Sequence, residues 1–404
     1  MTPHGAGVTS GGSDPQRPVH SSRALSAVRE LASRACGRSQ EIAQARALPA
    51  DLVEDLRSTG ILSMALPKEL GGEEADPVEV LLAVEALATA DGSLGWCAGI
   101  AVGTTPLGAY LPEQGARQVF PRPDVFAGGS FNSRDALARR VQGGFRVSGR
   151  WAFGSGNQHS AWMNGACVVV DETGRPEVAE GESPVAKIVF LPRSLLTIHD
   201  TWHVSGLEGT GSNDFSAEDV FVPAECTTSL GSTPWPKGAL WRMPLLPLVF
   251  TPLAAVPLGI ARAAIDELVR LADDKTPYRS SRRLAERDVA QSMVARAEAA
   301  VRSGRHFLLD AMAELRDAAY AGEVITMHQR AVLRLACVNA ARAAVEATDL
   351  CYQAAGSTSL FTPNRLNRLW RDVHAAGQHV VLAYTGYETV GRVLFGLEAD
   401  TPLL

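Results

Sequence analysis

Aromatic, hydroxyl and glycine residues alternate in one short segment, GRWAFGSGNQHSAW, at residues 149–162. Residues two apart share a face of a β-strand, so Trp151, Phe153 and Ser155 are predicted to point the same way. Two rings and a hydroxyl on one face can hold a flat heteroaromatic ligand, but aromatic side chains also fill ordinary cores. The segment predicts either a site for a planar ligand or a packed hairpin corner.

Histidines are the second group of candidates. His379 lies in RDVHAAGQHVVLAY, at residues 371–384, where an imidazole could exchange a proton near neutral pH. The competing interpretation is a buried helix histidine bonded to a backbone carbonyl. His374 is expected at the surface, and His159 is expected either to cap a turn or to line a pocket. No Cys or His spacing matches a metal site, so no bound metal is predicted.

Composition limits the class of protein. The 404 residues are 46% hydrophobic and 20% charged, with a net charge of -6, which disfavours nucleic acid as the main partner. The six cysteines are scattered and are expected to be reduced thiols of a cytoplasmic protein. Residues 1–22 are rich in Gly, Ser and Pro and lack the apolar run of a signal peptide, so a disordered tail is expected.

One uncharged stretch, Met243–Ala261, has about the length of a membrane span. Prolines at positions 244, 247, 252 and 257 interrupt it and remove backbone donors. The stretch is therefore interpreted as the buried entry into a core helix, and no association with a membrane is expected.

The hydrophobic period changes twice along the chain. It is helical over residues 23–119, alternates in short β-type runs over 120–230, and returns to long helices over 231–404. The predicted architecture is mainly α with a central β domain, between an N-terminal helical domain and a C-terminal four-helix bundle. The bundle helices are predicted at Leu253–Asp274, Asp288–Ala321, Thr326–Ala355 and Asn364–Phe395.

Motifs in this order resemble those of the acyl-CoA dehydrogenase superfamily. LPKELGG at 66–72 resembles its P-x-x-x-G-G turn, and HVSGLEGTGSNDFSAEDVFVP at 203–223 resembles the stretch that closes its β domain. YQAAGSTSL at 352–360, followed by RLWRDV at 368–373, resembles its C-terminal Gly-rich turn and R-D helix start. The resemblance covers nearly the whole chain and implies an acyl-CoA dehydrogenase-like fold with a small β-barrel-like central domain.

Acyl-CoA dehydrogenases need a carboxylate base beside the flavin ring, because they remove a proton next to a thioester carbonyl. Aligning the R-D helix start places that base near Val380, where this chain has no acid. The other position that family members use falls within residues 247–261, which also lack one. The sequence therefore disfavours acyl-CoA oxidation.

The chain more specifically resembles the superfamily's flavin-dependent monooxygenases, which are the oxygenase components of two-component systems such as aromatic hydroxylases and dibenzothiophene monooxygenase. The shared features are Phe153-Gly154-Ser155-Gly156, His159 with Trp162, and Trp370-Arg371-Asp372 followed by His379. The resemblance implies reduced FMN or FAD supplied by a separate NAD(P)H flavin reductase. Dioxygen would add at the flavin C4a carbon, and the hydroperoxide would hydroxylate a small aromatic or heteroaromatic substrate. No G-x-G-x-x-G follows a predicted strand, which is consistent with reduction by a partner.

The resemblance also implies roles for individual residues. His379, Ser130 and Ser155 are expected to act in catalysis, His379 by bonding the peroxide or by accepting a substrate proton. His159 and Val380 are expected in the substrate pocket. The residues expected to contact the flavin are Trp96, Ser130, Phe153, Ser155, Trp202, Arg282, Gln353, Gly356 and Ser357. Arg282 and the Gly-rich turn would reach the flavin phosphates from a neighbouring subunit, although Arg282 also fits a solvated charged helix face.

Three other functions stay open from the sequence. The first is an acyl-CoA dehydrogenase whose base lies elsewhere. The second is an N-oxygenase that acts on an amine or amino sugar with the same cofactor chemistry. The third is a flavin-free binding or scaffold protein. The expected assembly is a homotetramer, and the expected location is the cytoplasm.

Overall fold

The structure is a computed structural model that describes residues 22–178, 184–399 and 401. The predicted tail at 1–22 lies outside the described residues except for Ser22, whose hydroxyl accepts a bond from Leu25 N and begins the first helix. Along the chain, helices precede and follow a central group of strands, as predicted. The helices are α1 Arg23–Ala35, α2 Ser39–Ala45, α3 Ala50–Ser58, α4 Pro77–Ala90, α5 Gly92–Thr104, α6 Glu113–Val119, α7 Leu245–Phe250, α8 Ala255–Asp274, α9 Asp288–Ala321, α10 Met327–Ala355, α11 Arg365–Ala376 and α12 Gly386–Leu394.

A buried helix, α5, carries the first candidate site residue. The preceding helix α4 begins at its predicted cap, Asp76, whose carboxylate accepts a bond from the backbone two residues on. Asp91 ends α4 and caps α5 directly. The two helices pack closely, because Gly95 has no side chain and a Cβ there would lie 2.6 Å from Ala88 Cα. This packing fixes Trp96, which is 6% exposed.

The central strands form one eight-stranded mixed sheet among the described residues. They are β1 Ala127–Ser130, β2 Leu137–Val141, β3 Gly144–Trp151, β4 Trp162–Val170, β5 Ala186–Pro192, β6 Thr197–His199, β7 Asp214–Pro223 and β8 Thr227–Thr228. Their order is β6-β7-β3-β2-β4-β5-β8, with β1 also paired to β4. The sequence pattern does not predict β2, because only Ala138 of that strand is buried and its two arginines face solvent.

The uncharged stretch before α8 is buried in the protein core. One helix among the described residues, Leu245–Asp274, is long and apolar enough to cross a membrane by length and composition, but 89% of its apolar window is buried inside the protein. α8 packs against α4 on one side and α10 on the other. The stretch therefore joins the N-terminal helices to the bundle.

The fourth predicted bundle helix, Asn364–Phe395, is wrong as a single element. α11 ends at Ala376 and α12 begins only at Gly386, with turns between them. Glycine follows the end of α11 and starts α12, and glycine is a poor helix former. The carbonyl of Val380, within the gap, accepts a bond from an arginine of α10 and not from its own chain segment. His379 therefore lies in a turn between two helices.

Candidate active site

Three buried hydroxyls meet at the turn after β3. Ser155 Oγ lies 2.7 Å from Ser212 Oγ, which lies 2.6 Å from Thr210 Oγ1. Thr210 donates its hydroxyl proton to the Leu207 carbonyl. Thr210 therefore accepts from Ser212, and Ser212 in turn accepts from Ser155. Trp96 Nε1 donates to Ser155 Oγ at 3.1 Å. Ser155 therefore offers its remaining lone pair as an acceptor, and we refer to these three residues as the hydroxyl cluster.

Asn157 holds the two loops of the hydroxyl cluster together. Its side chain is fully buried, and Nδ2 lies 2.7 Å from Gly154 O, 3.0 Å from Gly211 O and 3.1 Å from Asn213 O. These contacts join the turn after β3 to the Gly-rich loop before β7. The loop that the sequence assigns to closing the β domain thus also positions Ser155.

Trp151, Phe153 and Ser155 do not share a strand face, so that prediction is wrong. β3 ends at Trp151, which is fully buried, stacks on Phe215 with 5.1 Å between ring centroids, and donates from Nε1 to Ala166 O. Phe153 has a φ of +63°, and this left-handed conformation ends the strand alternation. Trp151 is therefore a core residue, whereas Phe153 turns outwards.

Phe153 and Trp202 form an aromatic pair at the surface beside the hydroxyl cluster. Their ring centroids lie 6.2 Å apart, and the rings are nearly perpendicular. Trp202 Nε1 donates to Leu207 O, the carbonyl that ends the hydroxyl chain. Phe153 is 56% exposed. The pair presents an apolar surface next to a hydrogen-bond acceptor, an arrangement that suits a planar molecule with a polar edge.

A row of rings leads from the hydroxyl cluster into the bundle. Trp96 and His379 form a T-shaped pair with 5.4 Å between ring centroids, and the centroid of His379 lies 6.2 Å from that of Phe250. Phe250 meets Phe131 at 5.6 Å. Phe131 directly follows Ser130 at the end of β1. We call Trp96, His379, Phe250 and Phe131 the ring row; His379 belongs to it, Ser155 is joined to it through Trp96, and no described contact joins the Ser130 side chain to it.

His379 is neutral near pH 7. Burial, followed by the positive charge of Arg334, lowers its pKa to about 4. Val381 N donates to His379 Nδ1 at 3.4 Å, so the hydrogen-bond network assigns the ring proton to Nε2. The sequence-based expectation of a ring that titrates near neutral pH is therefore wrong. A neutral imidazole with this pKa is a weak proton acceptor and a good Nε2–H donor.

Arg371 and Asp372 of α11 fasten the loop that carries the hydroxyl cluster. Leu207 N donates to Asp372 Oδ1 at 2.6 Å. The Arg371 guanidinium donates to Ser205 O and, at 3.1 Å, to Glu208 Oε1. These contacts connect the central strands to the C-terminal bundle, so the R-D motif positions the loop. We refer to the contacts of Arg371 and Asp372 with this loop as the clasp.

Asp372 lies in α11, which ends before His379, so the two residues do not share a helix. Its carboxyl is buried, and burial, together with the negative charge of Asp91, raises the pKa of Asp372 to about 7. The described contacts of Asp372 are with the loop and not with the ring row.

No described side-chain contact joins the remaining pocket candidates to the ring row. His159 contacts the buried ring of Phe126, and none of its described contacts joins it to His379. Burial and the charge of Arg57 lower the pKa of His159 to about 4. Ser130 is half-buried, and its hydroxyl accepts a bond within its own turn. The Val380 side chain is 51% exposed.

The predicted phosphate contacts gather at the end of α10. They are Gln353, Gly356 and Ser357, all exposed, and Arg282 from the segment before α9. Lys275 Nζ donates to Ala355 O and, at 2.6 Å, to Thr358 Oγ1. Leu284 N donates to Lys275 O, which folds the Arg282 segment back towards this turn. None of the described contacts joins this group to the hydroxyl cluster of the same chain.

Sequence reasoning missed several residues that build the site. Ser212 lies in a stretch interpreted only as a closing turn, and its position two residues after Thr210 was the available signal. Asn157 follows the glycine-rich turn, where a buried amide often satisfies loop carbonyls. Phe250 is hidden in the apolar stretch before α8, and no local pattern distinguishes it from its core neighbours.

Comparison with known proteins identifies the family. Models of the acyl-CoA dehydrogenase N-terminal and C-terminal domains match residues 21–122 and 252–384. Indole-3-acetate monooxygenase of Pseudomonas putida is 33% identical over 88% of this chain and 89% of its own length. The oxygenase subunit HsaA of a flavin-dependent monooxygenase from Rhodococcus jostii is 30% identical over 87% of this chain and 94% of its own. The chain belongs to the flavin-dependent monooxygenases.

A solved relative carries the cofactor expected of this family. XiaF from Streptomyces sp., in complex with FADH2 and glycerol, superposes with a TM-score of 0.87 at 25% identity, over 94% of this chain and 97% of its own. The chain is thus the oxygenase component of a flavin-dependent monooxygenase with the acyl-CoA dehydrogenase fold. It uses reduced flavin and acts with a separate flavin reductase on a small molecule.

The residues present fit a flavin. The exposed face of Phe153 and Trp202 suits a flat ring, and Ser155 beside it offers an acceptor to a ring N–H. The ring row contains the imidazole of His379, the neighbour of Val380, and none of its four residues is an acid, so both family and geometry disfavour the acyl-CoA dehydrogenase alternative. The flavin-free alternative is excluded as well, because the family is flavin-dependent.

Proposed function

We propose that this monooxygenase hydroxylates a small aromatic or heteroaromatic molecule held along the ring row, with the flavin ring against Phe153 and Trp202. One observation carries the proposal. Trp96 donates its indole proton to Ser155 and packs its ring against His379 in a T-shaped arrangement. This indole therefore lies between a flavin side and a substrate side. Reduced flavin, when bound, activates dioxygen and supplies the oxygen atom.

Ser155 would recognise the reduced form of the flavin. A reduced isoalloxazine carries a proton on N5, which needs an acceptor. The Ser155 proton is already donated to Ser212, and one lone pair accepts from Trp96. The second lone pair is the group left to accept the flavin N–H. Because its proton is committed, Ser155 suits a donor on the ligand better than an acceptor.

His379 would orient the reacting oxygen and the substrate. Its Nε2–H is the donor that the hydrogen-bond network leaves available. Phe250 and Trp96 flank the ring, and apolar neighbours that exclude water would limit loss of the activated oxygen as peroxide. With a pKa of about 4, His379 holds a proton at Nε2 and does not act as a cation near pH 7.

An aromatic substrate is supported by the wall of the ring row. Phe250 and Phe131 meet edge to face, with an interplanar angle of 89°, and a third ring can pack on the same surface. Indole-3-acetate, by its name the substrate of the Pseudomonas putida relative, is a molecule of this kind. Carbon hydroxylation is the reaction that this wall supports best.

The test is a single turnover with anaerobically reduced FMN or FAD, mixed with protein and then with oxygen in the presence of indole-3-acetate. We expect a near-ultraviolet transient followed by product that carries ¹⁸O from labelled dioxygen. His379→Asn should lower product per flavin by about 10- to 100-fold. Ser155→Ala should shorten the transient. His374→Asn is the matched control, because His374 of α11 bonds Asp349 of α10 and lies outside the ring row. Absence of both transient and labelled product would refute the proposal.

The proposal includes a homotetramer in which one subunit completes the flavin site of another. Large apolar side chains lie exposed beside the predicted phosphate contacts: Tyr278 at 89%, Leu360 at 65% and Phe361 at 67%. Such a patch favours burial against a second chain. A cytoplasmic location is part of the same proposal, since the reductase draws on NAD(P)H.

Mixed assemblies test the shared site. Ser155→Ala and Arg282→Ala subunits, each poorly active alone, should regain activity when co-expressed, because some sites then receive both native residues. Sedimentation should give four chains per particle. If the mixture is no more active than the average of its parts, the two residues act within one chain and the shared-site proposal is wrong.

A further inference from the structure

Arg334 of α10 is a buried guanidinium without a described counter-charge. The residue is only 9% exposed, and Nη1 is buried with no hydrogen-bond partner. Nη2 donates to Val380 O at 2.5 Å. No ion pair among the described residues includes Arg334, and the charges that act on its pKa include no carboxylate. One amino group of a buried cation is therefore left unused.

Such a group is costly unless an anion meets it. An unpaired buried charge loses hydration that a backbone carbonyl only partly replaces. Arg316, another partly buried arginine, shows the usual solution, since it pairs with Asp76 at 2.5 Å and Asp317 at 2.8 Å. Because the described part of the chain supplies no acid to Arg334, a ligand is the natural source of the anion.

The guanidinium lies next to the ring row. It bonds the carbonyl of the residue after His379, and its charge contributes to the lowered pKa of that histidine. One turn further along α10, Cys337 bonds Thr251, the residue that follows Phe250. Arg334 therefore lies next to His379 and close to Phe250.

We propose that Arg334 binds the carboxylate of an aromatic acid, and that aromatic acids are the substrate class of this enzyme. The planar guanidinium has N–H groups on Nη1 to donate, and carboxylate is the anion whose geometry it matches. A carboxylate carries one charge and offsets one cation, whereas a phosphate would bring a second charge without a partner. The inference rests on the proposed function, because it places the ring of the acid along the ring row.

The experiment compares one aromatic acid with its neutral isostere. Dissociation constants of the full-length protein are measured for indole-3-acetate and indole-3-acetamide, in wild type and in Arg334→Met and Arg334→Lys. Wild type should bind the acid about 10- to 100-fold more tightly than the amide, as expected for a buried charge-assisted bond. Arg334→Met should abolish this preference and leave amide binding within about twofold, and Arg334→Lys should keep part of it. The matched control is Arg342→Met, an exposed arginine of the same helix.

Three results would overturn the inference: equal binding of acid and amide by wild type, equal weakening of both in Arg334→Met, or weaker reduced-flavin binding with the acid preference intact. Because the binding measurement requires no oxygen transfer, failure of this inference can be distinguished from failure of the proposed function. Acid preference without ¹⁸O-labelled product refutes the proposed function alone, and labelled product from neutral aromatics without acid preference refutes this inference alone.

Discussion

The neutral state of His379 makes a specific prediction about pH. With a pKa of about 4, the ring is about 3% protonated at pH 5.5, whereas an ordinary histidine of pKa 6.5 would be about 90% protonated. Product formed per reduced flavin should therefore stay constant from pH 8 down to about pH 5 and fall only below it. Arg334→Met removes one cause of the shift, so the decline should move to higher pH.

The same shift predicts a stability effect. The folded pKa lies below the unfolded one, so between pH 6.5 and 4 the unfolded chain binds more protons at this site. As pH is lowered from 6.5 to 4, the free energy of unfolding should therefore fall, by about 1–2 kcal/mol from His379 after allowance for its partial exposure. His379→Asn should lose less stability over the same window.

The assay is a series of single turnovers with premixed reduced flavin, from pH 4.5 to 8, together with urea unfolding at each pH. His374→Asn again serves as the matched histidine variant, because His374 pairs with Asp349 away from the ring row. An inflection in product yield near pH 6.5 that disappears in His379→Asn would refute the reasoning, since the ring would then titrate as if exposed.

Three further variants probe the scaffold of the site. The pKa of Asp372 is about 7 in the folded protein, above its unfolded value, so ionisation of this carboxyl lowers stability as pH rises. Between pH 5 and 8, the free energy of unfolding of wild type should fall by about 2 kcal/mol more than that of Asp372→Asn. Equal losses in urea titrations would contradict this. Asn157→Ala strips the amide from three carbonyls and should cost about 2–4 kcal/mol by thermal unfolding, with a cost below about 0.5 kcal/mol contradicting the role of this bridge. Lys275→Met should weaken reduced-flavin binding about fivefold while the oxygen transient keeps its lifetime, and unchanged affinity would separate this turn from the cofactor.

The order of helices and strands could be predicted from sequence because its signals are local. Asp76 before Pro77 marks a helix start, and the period of apolar residues changes where the strands begin and end. The flavin cofactor was predicted from the family resemblance. These inferences needed no contact between distant parts of the chain.

The geometry of the site could not be predicted because it depends on single backbone conformations and distant contacts. The positive φ of Phe153 cancels the alternation on which the shared face of Trp151 and Ser155 depended. The gap between α11 and α12 depends on a bond from Arg334 to a carbonyl 46 residues away in sequence. Neither feature leaves a periodic trace in the sequence.

The clasp has a consequence for how the enzyme is made. Leu207 and Asp372 are 165 residues apart in sequence, so during synthesis the loop with the hydroxyl cluster leaves the ribosome long before its partner exists. A nascent or C-terminally truncated chain would have folded strands but no fixed acceptor for reduced flavin. Under the proposed function, a fixed acceptor for reduced flavin therefore requires the complete polypeptide.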